Sequence, residues 1–175
     1  MIEKSFFIFI FLLIAVKSEA QPIAVYLKWK YENFPLKVQV YSVKKEKFEY
    51  ISETRNVDNL ASTAGDKKIS DHLNVQINSS QPAVLVVENT TDQDLYFFAV
   101  PHELRPHEAS TGHYFECLCI GKLYKVEAKK TWYRIVRVNL DKNFSGKKSF
   151  EIEHQIIGVS KNDALGKYRE RLYDH

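Results

Sequence analysis

Sulfur is scarce in this chain. Its 175 residues hold two cysteines, Cys117 and Cys119, and one methionine, Met1. Two cysteines are too few for a disulfide framework, and the lack of internal methionine excludes a methionine-rich copper site. Charge of one sign is also missing. The formal net charge is +3, with lysines interleaved among glutamates, so no basic block or stripe marks a nucleic-acid partner. The chain has no Gly-rich phosphate loop, no G-x-S-x-G and no H-E-x-x-H, which removes the commonest signatures of phosphoryl transfer, serine hydrolysis and zinc proteolysis. We read the protein as not an enzyme. The longest apolar run, Phe6–Val16, is about half the ~20 residues a membrane-crossing helix needs.

That run lies where a secretory signal would. Lys4 precedes it, and small residues, Ser18 and Ala20, follow it. Residues 1–20 are therefore expected to be a signal peptide or an uncleaved signal anchor. Residues 21–175 are expected to form a single domain, exported and touching a membrane only if the N-terminal segment stays attached; the periplasm as its destination is what the resemblance given below implies. Leu36–Val40 alternates apolar and polar, the period of a half-buried strand. Further strands are expected over 24–31, 48–51, 83–87, 95–100, 114–120, 131–140 and 150–159, separated by turn-rich segments such as "ENTTDQD" and "DKNFSGKK". In the last of these, Phe150, Ile152, His154 and Ile156 share one face. The pattern predicts an all-β, antiparallel sandwich. The polar stretch 55–70 reads as a loop with at most a helical turn. A short C-terminal helix is expected over 161–175, with Leu165, Tyr168 and Leu172 as its apolar stripe and Asn162 or Asp163 as its cap. Three sequons, at Asn78, Asn89 and Asn143, carry little weight, since nine asparagines are enough to give one or two by chance.

The chemistry concentrates in "GHYFECLCIGK", residues 112–122. In an extended strand Cys117 and Cys119 point to one side, with Cα atoms about 6.6 Å apart. That is near the upper limit for a disulfide, so such a bond would be strained and easily reduced. A thiolate pair bridged by a soft metal ion uses this geometry better, and two buried, inert cysteines are as common an explanation for a bare C-x-C. Among the histidines, His113 would share the cysteines' face and is the candidate auxiliary ligand. His102 and His107 sit in the Pro-bounded loop "VPHELRPHEASTG" and read as solvent-facing.

The ordered elements around this pair carry a resemblance. Asn89–Asp92 form an "N-x-T-D" turn between two strands, Pro101 lies in the following loop, and Tyr114-Phe115 precede the C-x-C. "WYRIVRVNLD" then ends a strand at Asp141, and "SFEIEHQIIGV" supplies a last one. From about residue 75 to 159 the chain resembles the periplasmic domain of cytochrome c oxidase assembly proteins of the CtaG type. It departs from their C-F-C-F signature at Leu118 and Ile120, and it lacks a third cysteine. The resemblance implies an immunoglobulin-like β-sandwich. It also implies copper(I) bound by Cys117 and Cys119, a homodimer, and delivery to cytochrome c oxidase subunit I or another copper-accepting envelope protein. The alternatives are a copper-sequestering relative with another client, and a periplasmic interaction module that has lost the metal.

Overall fold

A computed structural model describes residues 21–47, 51–69, 72–116, 118–146 and 148–173. The expected signal segment over residues 1–20, most of the expected strand over 48–51, and Cys117 lie outside the described residues. No helix among them is long and apolar enough to cross a membrane.

The chain folds as a β-sandwich. In chain order the strands are β1 (Ile23–Glu32), β2 (Gln39–Val43), β3 (Thr54–Val57), β4 (Gly65–Lys68), β5 (Leu73–Val75), β6 (Ser79–Glu88), β7 (Leu95–Ala99), β8 (Glu103–Arg105), β9 (His113–Glu116), β10 (Leu123–Val126), β11 (Thr131–Leu140) and β12 (Ser149–Val159), followed by the helix α1 (Lys161–Leu165). One sheet runs β10-β7-β12-β1-β5, with β8 also on β12. The other runs β3-β11-β6-β2-β4, with β9 also on β11. β1 and β12 are parallel, and every other strand pair among the described residues is antiparallel.

The inner faces meet in one core. The alternation read in the sequence of β12 sends Phe150, Ile152, His154 and Ile156 inward, and each is buried. β6 and β11 are buried on both faces, which is why they read as continuous apolar runs rather than alternating ones. Their outer side is covered by Tyr41, Ala64, Val57 and Leu60. At the core's centre Phe97, Tyr124 and Trp132 pack in edge and stacked contacts, with ring centroids 5.2–5.5 Å apart. Each such ring contributes roughly 1.5–3 kcal/mol by burial.

Several expected boundaries move. The strand expected over 36–40 begins later, because the Val38 N–H donates to the Tyr31 hydroxyl at 2.9 Å instead of to a ladder partner. The polar stretch 55–70 holds β4 and most of β3 around a helical turn at Leu60–Ser62. These strands were hidden because β4 exposes most of its length. The C-terminal helix is shorter than expected. Ser160 caps it, accepting from the Asp163 N–H at 3.1 Å, while Leu165 faces solvent and Ala164, Tyr168 and Leu172 pack on Tyr96 and Leu123. Asn89 is buried at the β6 end. Its amide donates to the carbonyls of Gln93, Val126 and Glu127, and its oxygen accepts from Thr91, so its sequon is occupied by turn structure.

Candidate metal centre

The expected strand over 114–120 stops at Glu116. Beyond it the chain leaves β9 in one sheet to reach β10 in the other. Leu118 drops into the core, fully buried, and its carbonyl accepts from the Tyr124 hydroxyl at 3.1 Å. The Ile120 N–H turns back onto that same carbonyl at 2.9 Å, a tight three-residue turn centred on Cys119. The straight-strand spacing assumed for the C-x-C therefore does not apply. Cys119 is disulfide-bonded, correcting the expectation that strand geometry opposes such a bond. The chain's other cysteine, Cys117, is outside the described residues.

Cys119 does not stand alone. Its Sγ lies 3.4 Å from His102 Nδ1. His102, Cys119 and His154 bring one ligand atom each within 4.8 Å of one another. Neither histidine is the one the sequence favoured. His113 lies beside the group, with its ring centroid 6.1 Å from that of His102 and 6.3 Å from Phe150. His107 is exposed.

His102 arrives through an irregularity in the sheet. β7 and β8 are two pieces of one line along β12. Ala99 pairs with Ile156 and Glu103 with Glu153, so three residues, Val100 to His102, face only His154 and Gln155. The extra residue is a bulge, which exchanges the faces of everything after it. Phe97 and Ala99 point inward on β7, and without the bulge Pro101 and Glu103 would follow them. With it, His102 and Leu104 turn toward the core instead. Glu103 and Arg105 move outward and form a charged cluster with Glu153. Pro101 has no N–H to give a ladder, which suits it to this site.

His154 sits on the inward face of β12. Its parallel partner in β1 is Trp29, and the two rings stack at 5.1 Å. Phe115, brought from the opposite sheet by β9, closes on it at 5.4 Å, and His102 at 5.3 Å. The placement of β9 depends on Gly112, whose φ of +74° suits glycine and whose missing Cβ leaves room for the backbone of Phe144. His154 is 0% exposed, and neither ring nitrogen has a hydrogen-bond partner among the described residues. Burial, and then the neighbouring His102, hold its pKa down to about 3. Burial, and then His113, lower that of His102. Both shifts favour the neutral ring, the form that ligates metals. An unsatisfied buried polar group costs roughly 1–3 kcal/mol. One nitrogen from each ring lies within 4.8 Å of the Cys119 sulfur, a donor set that would suit an ion held by imidazole and thiolate once the disulfide is reduced.

Sequence reasoning had noted His154 on the apolar face of its strand but gave it no chemistry. An ionisable residue in an otherwise apolar inward row was the available signal. For His102 there was only Pro101 followed by the alternating Glu103-Leu104-Arg105, which marks a strand restarting out of phase.

Residues 23–159 match the family described as a domain of unknown function (DUF8709), and the chain belongs to that family. The matched region opens with β1 and closes with β12. No curated protein and no solved structure matches the chain.

Proposed function

We propose that this member of the DUF8709 family is a non-enzymatic carrier that holds copper(I) when reduced and passes it to an acceptor protein in the periplasm. The observation supporting this is the convergence of Cys119 with His102 and His154, the latter buried with both nitrogens unpartnered among the described residues. Metal–nitrogen and metal–sulfur bonds of roughly 2.0–2.3 Å set the donors of a trigonal site about 3.7 Å apart. A small contraction of the present group, whose donors lie within 4.8 Å, reaches that spacing. Thiolate with imidazole suits a soft or borderline ion, and copper(I) is content with two or three such donors, whereas structural zinc takes four. Cys117 would supply a second sulfur, and His113 stands one ring away. Only a thiolate binds, so the disulfide of Cys119 must first be reduced by an external dithiol, which gives up two electrons and leaves as its own disulfide. Transfer then proceeds by ligand exchange, an acceptor's donor entering as one protein ligand leaves. The resemblance to CtaG-type proteins suggests cytochrome c oxidase subunit I as acceptor and a homodimer as the working form. The signal-like residues 1–20 suggest the route of export.

The disulfide itself favours a second reading, an interaction module in which the bond is a permanent staple. Anaerobic titration with copper(I) against a competing chelator, before and after phosphine reduction, separates the two. The carrier binds one ion tightly only after reduction. His154→Phe weakens that binding, and the double variant Cys117→Ser, Cys119→Ser abolishes it. Equal binding by the reduced wild type and the double variant would sink the carrier reading.

A further inference from the structure

The sandwich is not closed along its whole perimeter. β5 ends one sheet beside β1, and β4 ends the other beside β2. Between these two edges the core opens into a cleft of about 400 Å3. That size falls within the roughly 300–1,000 Å3 of sites that enclose small ligands. The floor is apolar. Leu27 and Trp29 contribute from the inward face of β1, Val38 and Val40 from around β2, and Leu73 from β5. The mouth is basic, carrying Lys37, Lys68 and His72. Both lysines are exposed and steadied at the mouth. Lys37 Nζ lies 4.0 Å from the centre of the Tyr31 ring, and Lys68 Nζ donates to the Gln39 side chain at 2.9 Å. Neither forms an ion pair with a carboxylate among the described residues. The Nδ1 of His72 is buried and has no hydrogen-bond partner among the described residues.

We infer that this cleft binds an amphiphile with one anionic head and a short apolar tail. The tail replaces water along Leu27, Trp29 and Val40, where apolar contact is favourable at roughly 25 cal/mol per Å2. The head meets Lys37 and Lys68, each able to donate to an anionic oxygen. A neutral head would bring no charge to balance the two ammonium groups, and a cationic one would be repelled. Copper is not involved. The site nevertheless shares a wall with the metal centre, because Trp29 lines the cleft and stacks on His154.

The test uses the full chain with its disulfide intact and no added metal. Decanoate, decyl phosphate, decanol and decyltrimethylammonium are titrated by calorimetry. A decanoate brominated on its tail is followed by quenching of tryptophan fluorescence. Trp29 lines the cleft, whereas the only other tryptophan, Trp132, is fully buried in the core. Saturable binding of at least one of the two anions is expected, about tenfold or more tighter than decanol, with no binding of the cation. The relative affinity of the two anions tells carboxylate from phosphate. The double variant Lys37→Glu, Lys68→Glu should weaken binding about tenfold while melting as the wild type does. Trp29→Phe should remove the quenching and leave the calorimetric signal. Absence of saturable anion binding, decanol binding as tightly as the anions, or full affinity in the double lysine variant overturns the inference. Should Val40→Phe, designed to fill the cleft, fail to fold, the two surface lysine changes still decide it.

Discussion

Asn89 and His154 are both polar, and both are nearly or wholly removed from water, at 2% and 0% exposure. Their surroundings are opposite. Asn89 spends its whole amide on the turn between β6 and β7 and on the end of β10, donating to three carbonyls and accepting from Thr91. His154 is ringed by Trp29, Phe115 and His102 and gives neither nitrogen to a described partner. A buried polar group that is fully satisfied holds the fold, while one left unsatisfied weakens the fold and is available to a ligand. The two residues thus separate a polar group spent on the fold from one left open to a ligand.

The sharpest way to break this contrast is through the metal. Cys119→Ser should lower copper(I) affinity of the reduced protein by about a thousandfold, near 4 kcal/mol, with competition against a chelator as the measure. Asn89→Ala should leave copper affinity alone and cost about 3 kcal/mol of stability, because it strips three carbonyls and the N–H and hydroxyl of Thr91 of a partner at once. Urea denaturation would register this as a lower midpoint at unchanged slope.

Acidity offers a third probe. His154 stays neutral in the fold down to about pH 3, whereas in the unfolded chain it takes a proton near pH 6.5. Between those values the unfolded state binds more protons, so stability present above pH 6.5 is lost as pH falls toward 3. For the metal-free protein this group should remove about 2.5 kcal/mol between pH 7 and 4.5. Asn89→Ala should keep that dependence, and His154→Phe should lack that portion of it. Denaturant melts at a series of pH values would show parallel curves for all three proteins if His154 were not the cause. The smallest effect is expected for His154→Phe at pH 7. The aromatic surroundings accept a ring without nitrogens, so stability should change by no more than about 1 kcal/mol, read from the same denaturation curves.

The sandwich was legible because long strands announce themselves. β6, β11 and β12 carry enough apolar residues, in the right period, to be recognised without tertiary information. β3, β4 and β8 are a few residues long and largely polar, and they exist because neighbours offer them a ladder. The candidate site was only half legible. The cysteines could be found as a pair, but the conformation at Cys119 depends on Leu118 seeking the core and Tyr124 holding its carbonyl. Histidine selection depended on one extra residue opposite β12, which reversed the facing of His102 and Glu103. Local periodicity carries no record of such a phase shift until the partner strand is known.

The parallel ladder between β1 and β12 joins the two ends of the described chain and is expected to close late in folding. Trp29 and His154 are neighbours across that ladder although they come from opposite ends of the described chain. Such distant contacts form late, because the loop they close is costly before they can reward it. β9 and β10, which flank Cys119, can meet their own partners while β12 is still undocked. An ion arriving at that stage would find the sulfur without the buried imidazole. On the carrier reading proposed above, loading would therefore follow folding, and the metal would seal a finished protein instead of nucleating it.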